Sequence, residues 1–146
     1  MDPLKIAADI CKAFEGFRPK PYLCPAGVPT IGFGSTMYPN GKKVTLQDPP
    51  ITLQEAESLL LWELKQSQTA TLRYCPVLCD DPPRQAAIID FTYNLGPGRL
   101  QASTLRRRIN QRDWLEAKRE LMKWVRAGGR VLPGLVKRRA IEASLL

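Results

Sequence analysis

The chain of 146 residues contains no histidine. This absence removes the most common general base and the Ser-His and Cys-His nucleophile systems, so acid–base chemistry must use carboxylate, thiol, amine or phenol groups. The sequence also has no Cys-x-x-Cys pair, and we expect no metal site and no cofactor. We expect the four cysteines to be reduced thiols rather than a disulfide framework. They are Cys11, Cys24, Cys75 and Cys79.

Long apolar runs are missing as well. No run approaches the roughly 18 residues of a membrane-spanning helix, and the first sixteen residues lack the pattern of a secretory signal. We therefore expect no stable membrane insertion and a protein that stays in the cytoplasm until another factor releases it. An apolar content of 44% is nevertheless enough for one domain with a sizeable core.

Acidic residues are scarce in the C-terminal part of the chain. The formal net charge is +8, and residues 99–139 hold thirteen lysines and arginines against three acids. This imbalance favours attraction to an anionic polymer or surface, although a solvated helix face has the same composition. A basic helical nucleic-acid binder is a further alternative, but its known motifs are missing, and we expect no nucleic-acid partner.

The first third of the chain combines one helix with a region of turns and short strands. Ile6, Ile10 and Phe14 recur every four residues and predict a helix that ends near Glu15. Seven of the thirteen prolines then fall between positions 19 and 50. We predict short antiparallel strands at 22–24, 30–33 and about 43–46.

The remaining two thirds read as helices with recognisable start signals. Thr52-Leu-Gln-Glu55 is a capping box that opens a long helix, and Asp81-Pro82 starts an apolar one. Further helices are predicted at 103–110, from Asp113 to the Gly128-Gly129 pair, and after Pro133.

Glu15 is the acid that the N-terminal region offers for chemistry. It is the only acid between Asp9 and Asp48, and the small polar residues Cys24 and Thr30 follow it on the turn-rich segment. A carboxylate at the C-terminal end of a helix opposes the helix dipole, which argues against a placement without function.

The pattern Glu15-x8-Cys24-x5-Thr30, continued by Ile31-Gly-Phe-Gly34, resembles the active-site signature of the bacteriophage lysozymes (endolysins, glycoside hydrolase family 24). Other segments resemble that family in the same order along the chain. They are residues 51–60, the segment IDFTYNLG at 89–96, the Ser-Thr-Leu of 103–105, and WVRAGGRVLPGLVKRR at 124–139.

The resemblance implies a mostly helical α+β, lysozyme-like protein. One domain, 1–146, would hold an α+β lobe over about 1–60, a linker helix from about 53, a helical lobe over about 67–146 and a cleft between the lobes. The implied activity is hydrolysis of β-1,4 bonds between N-acetylmuramic acid and N-acetylglucosamine in peptidoglycan, which causes host cell lysis. We expect a monomer that waits in the host cytoplasm, is released with the help of a holin, and then acts on the cell wall.

Catalytic roles follow from the same resemblance. Glu15 would be the general acid, which must hold a proton near neutral pH. Cys24 stands where most relatives have Asp and would act as a nucleophile or place a water, with Thr30 bonding the same water. The alternative for Cys24 is an inert core thiol.

Substrate contacts are implied for Thr36, Tyr93 and Ser103, with core packing as the alternative for Tyr93. Ser35 replaces the usual histidine of the family, which we interpret as structural support. The missing Asp leaves two alternatives to a hydrolase, namely a lytic transglycosylase, which needs no water-activating group, and a silent lysozyme fold that only binds peptidoglycan.

Overall fold

The computed structural model describes residues 1–146. It contains seven α-helices, one short 3-10 turn and four short strands in two antiparallel pairs, β1 with β2 and β3 with β4. The predicted mostly helical α+β class is therefore confirmed. The elements are α1 Pro3–Glu15, β1 Arg18–Leu23, β2 Pro29–Gly32, α2 Leu53–Tyr74, the 3-10 turn Pro76–Leu78, α3 Pro82–Leu95, α4 Pro97–Gln101, α5 Thr104–Asn110, α6 Trp114–Leu121, β3 Arg126–Ala127, β4 Arg130–Val131 and α7 Pro133–Ser144.

The chain forms two compact units. Cys11–Glu63 is the hairpin unit, and Met1–Ile10 together with Leu64–Leu146 is the helical unit. Both boundaries fall inside helices, α1 and α2, so the first ten residues belong to the helical unit. None of the helices combines the length and apolarity that a membrane crossing requires.

The start signals of the helices act as the sequence predicts. In the capping box before α2, the Glu55 backbone N–H donates to Thr52 Oγ1 over 3.1 Å, and the Thr52 N–H donates back to Glu55 Oε1 over 3.2 Å. Side chains of the same kind cap three later helices by accepting a backbone N–H of the first turn. These caps are Asp81 for α3, Ser103 for α5 and Asp113 for α6.

The predicted third strand at about 43–46 is wrong. The segment makes a single isolated bridge, between Met37 and Lys43, across the turn at Asn40-Gly41. Beyond that bridge, the Asp48 carboxylate accepts hydrogen bonds from the Thr45 backbone N–H (3.0 Å) and from the Thr45 hydroxyl (2.7 Å). The Thr45 N–H is therefore not available to a neighbouring strand, and the β-ladder stops at this point.

The helix predicted from Asp113 to the glycine pair is also too long. It ends at Leu121, and Gly128 and Gly129 instead form the turn of the hairpin β3–β4. Their φ angles are +59° and +76°, and two consecutive positive values match the type I′ turn that joins antiparallel strands.

The core of the helical unit is built around α3, where eight consecutive residues from Gln85 to Thr92 are buried. Phe91 packs edge-on against Trp124 with ring centroids 5.6 Å apart. The hairpin unit has a smaller core of Ile31, Val44 and Leu59.

A network of buried charges crosses the helical unit between α3 and α7. Arg138 donates from Nε and Nη2 to the two carboxylate oxygens of Asp90, over 2.9 and 2.8 Å. Arg139 donates to Glu142 Oε2 (2.9 Å) and to Asn94 Oδ1 (2.7 Å). Burial, followed by the adjacent Asp90 carboxyl, raises the pKa of Glu142 well above its usual range.

Because this network is buried, removing one of its charges should lower the free energy of unfolding more than removing an exposed charge. Asp90→Asn leaves the Arg138 guanidinium buried without its counter-charge, which should lower the free energy of unfolding by about 3–5 kcal/mol. Arg119→Gln removes an exposed pair with Glu116 and should cost less than about 1 kcal/mol. Urea unfolding of both variants tests this difference, and equal losses would contradict it.

Candidate active site

Glu15 is the last residue of α1, and its half-buried side chain belongs to the hairpin unit. The helix ends there because Gly16 adopts a left-handed φ of +68°, with its N–H bonded to the Lys12 carbonyl. Lys12 Nζ also pairs with Glu57 Oε2 over 3.0 Å. This pair joins the end of α1 to the first part of α2 and helps to fix the position of Glu15.

The turn after β2 passes directly over the Glu15 carboxylate. Ile31 and Ser35 exchange two backbone hydrogen bonds of 2.9 Å, which closes a tight turn around Gly34. A Cβ added at Gly34 would lie 2.9 Å from Glu15 Oε2 and 3.3 Å from its Cδ. With a φ of +87° as well, this position accepts only glycine.

Cys24 follows β1 at the start of a tight loop. Its N–H bonds the Val28 carbonyl, and the Gly27 N–H bonds back to the Cys24 carbonyl. Hydrogen bonds to the sulfur from the Val28 backbone N–H, then from Ala26 and the Thr30 hydroxyl, lower the pKa of the thiol below its ordinary value. The loop therefore favours the thiolate, the reactive form of cysteine.

Thr30 is buried on β2, opposite Tyr22 of β1. Its hydroxyl donates to the Val28 carbonyl over 2.9 Å and is also within hydrogen-bond reach of the Cys24 sulfur. One hydroxyl proton cannot serve both acceptors. When the thiol is neutral, the Thr30 hydroxyl donates to the Val28 carbonyl. A thiolate is a stronger acceptor because of its full negative charge, and it competes with the carbonyl for this hydrogen bond.

Tyr22 is a site residue that the sequence interpretation missed. Burial raises the pKa of its phenol, the nearby charges of Glu15 and Cys24 raise it further, and Arg18 lowers it. The Arg18 guanidinium lies 4.1 Å from the centre of the ring. The phenol therefore lies within electrostatic range of both the acid and the thiol. The alternation of side chains along a strand, which puts positions 22 and 24 on one face, was the available signal.

The other predicted site residues are more dispersed. Thr36 is exposed in the hairpin unit, and Ser35 beside it is buried with a hydroxyl that has no hydrogen-bond partner. Tyr93 is half-buried on α3 of the helical unit. Ser103 is also in that unit. Its hydroxyl donates to the Leu100 carbonyl and accepts from the Arg106 N–H, which caps α5. Contact of Thr36, Tyr93 or Ser103 with substrate stays a prediction.

The hairpin unit thus contains a fixed carboxyl group at the end of α1 and, on the β1–β2 hairpin, a thiol with a lowered pKa and a hydroxyl group. A carboxyl group and a second polar group held together are what glycoside cleavage requires, and the protein around them is a mostly helical α+β fold. The family model "Phage lysozyme" matches residues 12–142. The chain belongs to the phage lysozyme family.

Relatives and solved structures agree with this assignment. The chain is 38% identical over 133 residues to a SAR-endolysin of Bacteriophage PS34, which covers 90% of this chain and 75% of the relative. It is 36% identical over 140 residues to an endolysin of Acyrthosiphon pisum secondary endosymbiont phage 1, covering 93% and 91%.

Among structures, an endolysin from Escherichia coli O157:H7 phage FAHEc1 aligns with a TM-score of 0.89 at 29% identity, covering 99% of this chain and 92% of the other. The muramidase domain of SpmX from Asticaccaulis excentricus aligns with a TM-score of 0.77 at 25% identity, covering 95% and 92%. The architecture is therefore the lysozyme fold.

The contact between Gly34 and Glu15 can be tested with a pair of glycine substitutions. Gly34→Ala forces a methyl group against the carboxylate of Glu15, the candidate catalytic acid. It should lower the hydrolysis rate by about a hundredfold, the cost expected for displacing such a group by about 1 Å. Gly41→Ala imposes the same backbone strain, at φ +85°, but meets nothing within 4 Å and should keep its activity. Release of soluble fragments from purified sacculi measures both variants. Similar losses in the two would show that backbone strain, not the carboxylate, is responsible.

The thiolate at Cys24 can be followed by alkylation. In a Cys79→Ser background, which removes the exposed thiol and leaves the half-buried Cys24, the pH midpoint of the iodoacetamide reaction should lie below the value of about 8.5 for a free cysteine. Thr30→Val removes one hydrogen bond to the sulfur and should raise the midpoint. Cys75 will not interfere, because burial raises its pKa to about 12. A midpoint unaffected by Thr30→Val would refute this hydrogen bond.

Proposed function

We propose that this protein is an endolysin of glycoside hydrolase family 24, a muramidase whose catalytic acid is Glu15 and whose second catalytic group is Cys24 in place of aspartate. It hydrolyses β-1,4 bonds between N-acetylmuramic acid and N-acetylglucosamine in peptidoglycan, for lysis of the host cell. The observation that carries the assignment of the acid is the Glu15 carboxylate held against the Gly34 backbone.

Glu15 is proposed to donate its proton to the leaving glycosidic oxygen as the bond to the anomeric carbon breaks. The position of its carboxyl group is fixed from two sides. Gly34 limits where the carboxyl group can go, and the Lys12–Glu57 pair anchors the helix that carries it. Fixing the donor before substrate binds reduces the entropic part of the barrier.

Cys24 is proposed to supply the second catalytic group as a thiolate. As a nucleophile, its sulfur would bond the anomeric carbon while the glycosidic bond breaks, and water would later release the sugar with Glu15 as base. As a base, it would instead take the proton of a water that attacks the same carbon. Thr30 and the backbone N–H groups of the loop support either role, because both begin from the thiolate.

A lytic transglycosylase is the second candidate, favoured by the absence of a carboxylate at position 24. In that reaction the sugar's own 6-hydroxyl attacks the anomeric carbon, so no water has to be activated. The lowered pKa of Cys24 favours hydrolysis over this alternative, because stabilising a thiolate would serve no purpose there.

Substrate and cellular setting are parts of the same proposal. Tyr93 would stack on a sugar ring, while Thr36 and Ser103 would bond its polar substituents. We propose that the protein acts as a monomer and does not bind nucleic acid. A holin would release it from the host cytoplasm to the cell wall.

The products of digestion test the proposal. Purified sacculi treated with the wild type should yield soluble muropeptides with reducing ends, detected by mass spectrometry. Glu15→Gln should lower the yield by about a hundredfold or more, because it removes the proton donor. Cys24→Asp should remain active after treatment with a thiol-alkylating reagent, whereas the wild type should be inactivated.

Three outcomes would contradict parts of this proposal. Products with 1,6-anhydro ends would identify a transglycosylase. An active wild type with alkylated Cys24 would exclude a catalytic thiol. Folded protein that binds sacculi without releasing any fragment would identify a binding module with a silent site.

A further inference from the structure

A pocket of about 540 Å³ opens on the helical unit beside α5. The side chains at positions 103, 106, 107, 110 and 111 line it, and this spacing corresponds to one face of the helix. Its lining contains two arginines and three side-chain amides but no acid. Ser103, a proposed substrate contact, belongs to this lining, whereas the proposed catalytic groups Glu15, Cys24 and Thr30 do not.

Arg106 is held rigidly at the wall of this pocket. Its Nε donates to the Tyr74 carbonyl over 2.9 Å, and its Nη1 donates to the Gln101 carbonyl over 3.3 Å. The guanidinium also lies 4.9 Å from the centre of the Tyr74 ring. These contacts use two of the five N–H groups, so three remain on a group whose orientation is already fixed.

The positive charge of the pocket is not neutralised by protein groups. Arg106 and Arg107 take part in none of the ion pairs, and Arg107 donates only to the Thr104 hydroxyl. Residues 99–112 contain five arginines and no acid. A concave site with charge of one sign concentrates oppositely charged ligands.

Amide groups add donors to the two arginines. Gln111 accepts from Arg108 Nη1 through its Oε1 over 3.1 Å, which directs its NH₂ group to other partners. Asn110 is fixed by a 2.8 Å bond to the Tyr74 carbonyl. A planar guanidinium with amide donors beside it suits a group that has several acceptor oxygens and more than one negative charge.

We propose that this pocket binds a phosphate ester, the oxyanion that would use both arginines and the Gln111 amide together. A carboxylate has two oxygens and one charge and would leave part of these donors unused. The phosphate could be carried by a lipid headgroup or by a soluble or wall-bound glycerol phosphate. Either source would bind the protein to its envelope target through a pocket whose lining contains none of the proposed catalytic groups.

Binding can be measured by NMR titration of the full chain with glycerol phosphate, at constant ionic strength against sodium acetate. We expect saturable shifts at residues of α5 with glycerol phosphate and weaker effects with acetate. Arg107→Gln and Arg106→Lys should each weaken binding by roughly tenfold, the cost of losing a charge-assisted hydrogen bond. Arg107→Gln is the safer variant, because the exposed Arg107 side chain donates to the Thr104 hydroxyl and not to the backbone.

Arg119→Gln is the matched control. It removes the same charge from the exposed side of α6 and should change the affinity by less than about twofold. Glu15→Gln should bind glycerol phosphate like the wild type, so the two proposals can fail independently. Equal losses in Arg119→Gln and Arg107→Gln, or tighter binding of acetate, would overturn the phosphate site.

The source of the phosphate is distinguished with vesicles. Stronger binding to vesicles that contain phosphatidylglycerol than to neutral phosphatidylcholine vesicles, reduced in Arg107→Gln, would identify a lipid headgroup. Binding of glycerol phosphate without any effect of Arg107→Gln on vesicle binding would identify a soluble or wall-bound phosphate.

Discussion

The close approach of the Gly34 backbone to the Glu15 carboxylate is the constraint on which the hairpin unit depends. A carboxylate at the C-terminal end of a helix opposes the helix dipole, so its position has to be held by something other than the helix. The turn closed by Ile31 and Ser35 brings Gly34 over the acid, and the Lys12–Glu57 pair holds the helix beneath it. Each of these contacts is local, yet together they fix an acid that its own helix would not favour.

The protonation state of the thiol at position 24 depends on the loop around it. An aspartate is ionised at neutral pH without assistance, whereas a cysteine at its ordinary pKa is mostly neutral. The backbone N–H groups of Val28 and Ala26 and the hydroxyl of Thr30 compensate for this difference by stabilising the thiolate. The Thr30 hydroxyl, which donates to the Val28 carbonyl, is also one of the groups that lower the pKa of Cys24, so the protonation of the thiol depends on this side chain.

Signals confined to a few residues predicted the structure well, and signals that depend on distant partners did not. The capping residues Thr52 and Asp81 were read correctly because a cap is a contact within one helical turn. The Gly128-Gly129 pair was predicted to end a helix but forms a hairpin turn. Glycine suits both places for the same reason, its tolerance of positive φ. The strand after Lys43 failed because Asp48 captured its polar groups. At the site, the resemblance to the phage lysozyme signature indicated Glu15, Cys24 and Thr30, but the contact with Gly34 depends on a turn geometry that no spacing encodes.

Burial divides the cations of the helical unit into groups that composition cannot separate. Of the thirteen lysines and arginines in residues 99–139, Arg138 is buried against Asp90 and Arg139 against Glu142. These two are structural, since both acids belong to the same network. Arg119 and Lys123 are largely neutralised by Glu116 and Glu120, which lie three residues before them in the chain. The arginines of α5 have no such partners, so the attraction to anions that the net charge suggests should be concentrated at that helix rather than spread over the surface. A charge count predicts that an anion will be attracted, but only the pairing pattern predicts where it will bind.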